Sequence, residues 1–435
     1  MDNIVSDFES FENVFSNSFY KKVVKETLIP IKMSKQEFQN TLIDLYKDII
    51  NGNYSPSILR GRIFTYKNNN VARIIPCLTI RDEALYFFLV KLLEEDIATN
   101  RIDGTFGGWR LGNAIKELEN LEIEYVTNSY NPKLWNKNWK EFSNIVWAKI
   151  RTDVYDVAYS LDIANFYDNI NLNILEKKLL ATVGRKKSQI VYLLIYFLKY
   201  WNKSIDNYNY KTVGIPQSEF GDQSRLLANF YLQDYDSIIS ELCLEQGAEY
   251  VRYADDQIIF ARNDTDINRI MLSICNELNK IGLNVNASKV HKYTMEELET
   301  YYGYEMINDI LEENYDSAAN TFFALKDNNV KFREDIILRK MLTSGLNNYS
   351  KENKDRILSI VTTDDFLLHN GLFYLKKVYG YINEEEKEIF IERLIFLLQT
   401  NYYNEFHYSV LKFAKENKLD SLVKIAMDTI RNIPV

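Results

Sequence analysis

The chain has 435 residues, 46% of them hydrophobic, more than one simple core requires and enough for two or three domains. Glycine (15) and proline (6) are scarce, which favours an ordered, helix-rich chain over a disordered one. A net charge of −9, from 52 basic and 61 acidic residues, argues in bulk against a nucleic-acid binder, although binding depends on where charges cluster.

No apolar run is long enough to span a bilayer. The acidic, polar start Met1-Asp2-Asn3 argues against secretion. The expectation is a cytoplasmic protein without a membrane partner. Cys77, Cys243 and Cys275 match no zinc or disulfide spacing and read as reduced core residues. His291, His369 and His407 form no metal-ligand pattern. The 31 Tyr and 24 Phe supply core and also suit base stacking.

In chain order, residues 1–50 read as helices, ending at Asn51-Gly52-Asn53 with residues suited to a left-handed cap. Arg60 to Lys67 and Val71 to Ile75 read as two strands joined at Asn68-Asn69-Asn70. A helix begins near Arg81-Asp82-Glu83, and residues 140–152 look helical. Val157 to Ile163 is a buried strand ending in a charge at Asp162. An apolar helix covers about 186–201. Tyr208 to Val213 looks like a strand running into Gly214-Ile-Pro-Gln217, and a helix follows over 223–243. Tyr250 to Tyr253 and Gln257 to Ala261 are strands flanking Ala254-Asp255-Asp256. A further helix spans 265–281. From about 305, amphipathic helices follow one another in lengths suggestive of an α-solenoid, without a fixed repeat.

Two adjacent acids at the tip of an apolar hairpin are costly to bury unpaired. The plain reading of one such pair is a tip facing solvent. Asp364-Asp365 illustrates that reading, as an N-cap in a polar helix start. Asp255-Asp256 has company, however. Asp162 ends a second apolar strand 93 positions earlier. Gly214-Ile-Pro-Gln217 and Ser224-Arg-Leu-Leu-Ala-Asn229 lie between them.

This ordered set resembles the reverse transcriptase palm. Block A is Asp162-Ile-Ala-Asn-Phe-Tyr-Asp-Asn-Ile170, block B runs from Gly214 to Asn229, and block C is Tyr253 to Asp256. Leu278 through Lys289 looks like block D. Tyr302-Gly303-Tyr304 looks like the primer-grip hairpin, block E. Lys67, Arg73 and Arg81-Asp82 look like the fingers blocks.

The resemblance implies an α/β (α+β) right-hand polymerase with fingers and palm, followed by an all-α C-terminal, thumb- or solenoid-like domain. The implied divisions are a helical segment 1–50, fingers 51–155, palm 156–305 with a helical insertion at 171–207, and C-terminal helices 306–435. It implies two-metal phosphoryl transfer with two Mg²⁺ ions, or Mn²⁺ in their place. Asp162, Asp255 and Asp256 would ligate them, with the Ile163 main chain alongside. Lys67 and Arg73 would pair with the triphosphate, and the backbone at Ile163 and Ala164 would contact it. Gln217 would lie near the nucleotide pocket, and Lys289 would protonate pyrophosphate. The plain alternative for Lys289 is a solvated lysine after a turn. Tyr167, five residues after Asp162, would bar a 2′-hydroxyl and select deoxynucleotides; Asp168 instead matches an acid of RNA polymerases.

Block B departs from the usual Gly-Ile-Pro-Gln-Gly. Ser218 replaces the second glycine, and Glu219-Phe220-Gly221-Asp222 lengthen the path to Ser224. That stretch, Gly107-Gly108-Trp109-Arg110, Trp139 to Phe142 and the helical C-terminal part resemble bacterial defence-associated enzymes of the abortive-infection, unknown-group and retron-related reverse transcriptases. Implied partners are RNA (an associated non-coding RNA among the candidates), dNTPs, a DNA product and further copies of the chain in a homo-oligomer. Copying without a template and priming from a tyrosine hydroxyl remain open. So do two other readings: a polymerase-shaped nucleic-acid-binding scaffold with a C-terminal effector surface, and an RNA polymerase. Lys21, Lys22, Lys25, Arg60, Arg62, Lys186 and Lys187 form either a nucleic-acid groove or a solvated face.

Overall fold

The computed structural model describes residues 7–67, 71–98, 101–112, 130–202 and 212–433, without the Trp135 side chain. These residues form two compact units. The first comprises residues up to Gly61 together with Pro76–Met295; the second comprises Arg62–Ile75 and Glu296 onward. Each has its own apolar core.

The first unit is built on a five-stranded sheet. Numbering every strand in chain order, β1 is Gly61–Tyr66, β2 Ala72–Cys77, β3 Thr105–Phe106, β4 Val157–Asp162, β5 Glu249–Tyr253, β6 Asp256–Ala261 and β7 His291–Thr294. The sheet order is β3-β5-β6-β4-β7. All its pairings are antiparallel except β3 with β5. The β4–β6 register places Asp162 directly opposite Asp256. The β5–β6 register places Tyr253 opposite the same residue. Opposed residues on antiparallel strands share a face, so the sheet itself brings the end of block A to block C.

The helix Ile80–Ala98 is buried around nearly its whole circumference, as expected of a helix apolar on all sides. It packs against the helices Asp222–Glu245 and Ser188–Tyr200. Helix Ile267–Lys280 buries only Ile270, Ile274 and Leu278, a stripe at a spacing of four. Cys275 lies on the opposite face and is exposed, unlike Cys77 and Cys243. That corrects the expectation of three core cysteines. Residues 208–211 of the expected strand lie outside the described residues, while Val213 bridges Asn171.

In the second unit, ten helices run from Met295–Tyr302 to Asp420–Asn432 around Phe322, Ile337, Met341, Leu394, Val410 and Phe413. The hairpin of β1 and β2 is held here. Asn404 mimics a strand edge, accepting from the Phe64 N–H at 2.7 Å and donating to the Arg62 carbonyl at 2.8 Å. The Tyr66 hydroxyl donates to Asp365 at 2.9 Å, and its ring packs on His369 and Tyr403. Thr363, rather than Asp364 or Asp365, caps the helix Asp364–His369. The two acids occupy its first turn, where the helix dipole favours them, and Asp364 pairs with Arg393 at 2.6 Å. Among the described residues, no helix is long and apolar enough to cross a membrane.

Candidate active site

Asp162 is buried at the end of β4, 7% exposed. Its carboxylate accepts from the Lys289 ammonium at 2.9 Å and the Asn286 side-chain amide at 3.2 Å. The segment Asn284–Asn286 is zipped against Asp162–Ala164. Ile163 bridges Val285, the Ala164 N–H donates to the Asn284 carbonyl at 2.8 Å, and the Asn286 N–H donates to the Asp162 carbonyl at 2.8 Å. The Ala164 carbonyl accepts from Asn169 at 3.2 Å, so both main-chain groups of Ala164 are engaged within the protein.

Asp255 is half-buried and Asp256 exposed. They sit in a turn whose Ala254 has φ +54°, the left-handed region that residues with a Cβ seldom occupy. The Ala254 N–H donates to Phe106 at 3.1 Å. Gly107, with φ +101°, is packed so tightly that a Cβ there would stand 2.8 Å from the Ala254 nitrogen. The Tyr253 ring meets Trp139 edge-on at 5.0 Å and Phe142 at 5.5 Å.

Lys289 ties the acids together electrostatically. Burial works against its charge, but the hydrogen bond and the field of Asp162, with Asp255 and Asp256 behind it, raise its pKa above the ordinary value. All three carboxylates therefore act on one ammonium.

Block B is pinned to block A through the main chain. The Gly214 N–H donates to Ile170 at 2.7 Å and the Ile215 N–H to Tyr167 at 3.0 Å. Gly214 has φ +87°, and a Cβ there would lie 3.0 Å from the Asp168 carbonyl oxygen. Gln217 is exposed beyond this pin, as is Asp168. The Tyr167 phenol is pushed up to about 12, first by burial; Arg225 opposes the shift and Asp255 adds to it. It remains a neutral hydroxyl at physiological pH.

The acids that distinguish block B are engaged inside the protein. Glu219 accepts from the Leu28 N–H and lies 4.0 Å from the Arg60 guanidinium. Asp222 accepts from the Tyr130 hydroxyl at 2.8 Å and from Arg225 at 2.5 Å.

Lys67 and Arg73 are exposed on the β1–β2 hairpin of the second unit. Tyr302-Gly303-Tyr304 is not a hairpin. It is a corner between the helices Met295–Tyr302 and Tyr304–Leu311, turned by Gly303 at φ +66°. Arg81 and Asp82 clamp the chain before β1: Arg81 bonds Asp48 at 2.7 Å and the Ser55 carbonyl at 2.9 Å, and Asp82 accepts from Tyr54 and the Ser57 N–H. Of the basic residues suggested for a groove, Lys22 and Lys25 are turned to Glu26 and the Met33 carbonyl, and Lys187 to Asp96. Arg62 belongs to the second unit, while Lys186 is exposed. Asn286 lies within the stretch likened to block D, three positions before Lys289, but the sequence assigns it no role; its bond to Asp162 supplies one.

Residues 70–331 match the family model described as reverse transcriptase (RNA-dependent DNA polymerase). The chain belongs to the reverse transcriptase family. No curated protein sequence matches it. Among solved structures, this reverse transcriptase is similar to apo telomerase from Candida tropicalis truncated from its C-terminal domain, at 14% identity and a TM-score of 0.36. That likeness covers 59% of the present chain and 55% of the telomerase, so the chain spans little more than half of its length. A second likeness is to the C. tropicalis telomerase in complex with a fragment of telomeric RNA, at 11% identity and a TM-score of 0.37, covering 89% and 68% of the two chains.

Among the described residues, no three His, Cys, Asp or Glu side chains make a ready-made metal cage. The donors at the end of β4 and the β5–β6 turn do suit Mg²⁺. They are all oxygen, and Mg²⁺ retains waters and shares substrate phosphates instead of demanding a full protein cage.

Proposed function

We propose that this reverse transcriptase is a metal-dependent DNA polymerase that copies RNA, or extends DNA without a template, in bacterial defence against phage. The observation that carries the polymerase reading is the register that sets Asp162 opposite Asp256, next to Asp255 in the β5–β6 turn, with Lys289 bonded to Asp162, in a chain of this family.

In this reading Asp162, Asp255 and Asp256 would hold two Mg²⁺ ions, which supply activation of the primer hydroxyl and charge neutralisation at the triphosphate. Lys289 holds a proton next to the reacting phosphates and gives it to the leaving pyrophosphate. Asn286 and Lys289 together fix the rotamer of Asp162. Tyr167, pinned against the Gly214–Ile215 turn, excludes the ribose 2′-hydroxyl. Lys67 and Arg73 bind the triphosphate, Gln217 borders the nucleotide, and the Tyr302-Gly303-Tyr304 corner contacts the primer. The partners are RNA, dNTPs and a DNA product, with further copies of the chain. The altered block B and the run of helices from Met295 to Asn432 support the defence branch.

The exposed Asp168 favours a second reading, an RNA polymerase. Incorporation assays with dNTPs or NTPs, with Mg²⁺ or Mn²⁺, separate the two. DNA synthesis abolished by Asp162→Asn and by Asp255→Ala is the expected result. Undiminished synthesis in the Asp255→Ala, Asp256→Ala double variant overturns the site. Sequencing nucleic acid that copurifies with the chain identifies the template, and phage plating of cells carrying either variant tests the defence role.

A further inference from the structure

Directly behind the acidic turn lies a fully buried polar network that neither the family match nor the motifs assign a role. Arg252 precedes Tyr253 on β5 and points to the opposite face, into the helix Asp222–Glu245. Its side chain is wholly shielded from solvent. The guanidinium forms a fork on Asp236, with Nε to Oδ1 at 2.8 Å and Nη2 to Oδ2 at 2.5 Å. Its third nitrogen, Nη1, donates to Asn229 Oδ1 at 2.8 Å and to the main-chain carbonyl of Ala254 at 2.6 Å. Asp236 also accepts from the Tyr250 hydroxyl at 2.8 Å. Asn229 spans the remaining gap, its Nδ2 donating to the Gly107 carbonyl.

The turn residue Ala254 is therefore held at both ends. Its N–H is taken by Phe106 of β3, and its carbonyl, which begins the peptide leading to Asp255, is taken by Arg252. Ala254 is also in the left-handed region. A turn of that shape persists where its surroundings over-determine it. A buried ion pair is a poor way to gain stability, since apolar side chains of similar volume commonly do as well. What the fork contributes that apolar residues cannot is a directed donor at a fixed point under the turn.

We propose that Arg252, oriented by Asp236 and Asn229, is a positioning residue that fixes the Ala254–Asp255 peptide so that the Asp255 carboxylate is presented at the angle divalent-cation binding requires. This rests on the polymerase reading for its consequence in catalysis, but not for its consequence in cation binding. Residues that orient metal ligands typically change affinity or activity by about 10- to 100-fold when altered.

The test uses the full chain and two variants. Arg252→Lys keeps the charge and loses the fork. Asn229→Ala removes a neutral side chain, and serves if the lysine variant fails to fold. Mn²⁺ binding is measured by electron paramagnetic resonance with Asp255→Ala as reference, together with kcat and the KM for dNTP. The expected result is a cooperative thermal melt in the tested variant, with Mn²⁺ affinity weakened about 10-fold or more. The kcat falls by a comparable factor, with the KM for dNTP changed less than about threefold. Wild-type Mn²⁺ affinity and kcat in a folded variant, with only the melting temperature lowered, overturn the proposal. Wild-type protein that binds Mn²⁺ through Asp255 but polymerises nothing overturns the polymerase reading, and the affinity comparison then decides the positioning role alone. Wild-type binding that is indifferent to Asp255→Ala overturns both.

Discussion

Glu83 gives the sharpest test of the energetics beneath block B. It is buried in the helix Ile80–Ala98, 5% exposed. Burial is the largest influence on its carboxyl; hydrogen bonds from Ser218 and Gln223 oppose it, Asp82 and Glu219 reinforce it, and the result is a pKa of about 8 against an ordinary 4.5. The Gln223 amide donates to it at 2.8 Å, and the Oε1 of the same amide is buried without a donor. A protonated carboxyl is the species that suits this pocket. Below about pH 4.5 the group is protonated whether folded or not. Between there and about pH 8 only the folded protein holds the proton, so stability declines as pH rises. Above about pH 8 both states are ionised and the slope vanishes. The decline amounts to about 1.4 kcal/mol per pH unit, or about 5 kcal/mol over the window at most. Glu83→Gln removes the titration while keeping the shape. The stability of this variant relative to wild type should therefore climb from pH 5 to pH 8 and then level. Urea unfolding read by tryptophan fluorescence measures it, because all five tryptophans belong to the first unit. A difference that stays flat with pH refutes the reasoning. One that falls instead means that Glu83 is ionised and that Arg60, which lines the same small cavity, is its partner.

Three further outcomes follow from the site. Tyr167→Ala should raise NTP use relative to dNTP by about 10- to 100-fold in competitive incorporation, whereas an unchanged ratio with loss of NTP use in Asp168→Ala would support the RNA polymerase reading. Lys289→Gln should lower kcat by about 100-fold through loss of proton donation with the KM for dNTP nearly constant; a change confined to KM would make the lysine a binding group only. Gly107→Ala should cost about 1–3 kcal/mol of stability and most of the activity, because its Cβ meets the Ala254 nitrogen at 2.8 Å. Gly184→Ala, also at positive φ but with nothing within 4 Å, should leave synthesis intact, and equal losses in the two variants would detach the effect from the turn.

Three strands of the central sheet were legible in the sequence because they carry period-free apolar runs bounded by charge, as at Val157–Asp162 and Gln257–Ala261; the two edge strands, the short Thr105–Phe106 and the polar His291–Thr294, carry no such run and were not. The pairing of Asp162 with the β5–β6 turn was legible through the resemblance of the ordered blocks to the reverse transcriptase palm. The partners that hold these acids were not. Asn286 and Asp236 are ordinary residue types whose roles arise from contacts across 124 and 16 positions, and the role of Arg252 depends on the turn that brings the Ala254 carbonyl back to its guanidinium. Asn229 stood inside a recognised motif, yet its bond to Gly107, 122 positions away, could come only from the fold. The turn at Gly303 looked like a hairpin because glycine between tyrosines fits either a strand reversal or a helix corner. The amphipathic flanks Leu298 and Met306, both buried, decide for helix once packed.

The net negative charge, which argued at first against a nucleic-acid enzyme, acquires a local meaning at the site. Three carboxylates act on Lys289. Arg225, the nearest exposed cation of block B, is tied to Asp222 at 2.5 Å, and Arg252 is spent on Asp236 beneath the turn. The cluster thus presents an excess of negative charge, which under the polymerase reading repels a triphosphate placed beside it. Under the polymerase reading, nucleotide affinity cannot come from this cluster alone and must depend steeply on divalent cation. The acidic patch and the two-ion chemistry are then one requirement: the charge that would exclude a bare nucleotide is the charge that concentrates Mg²⁺.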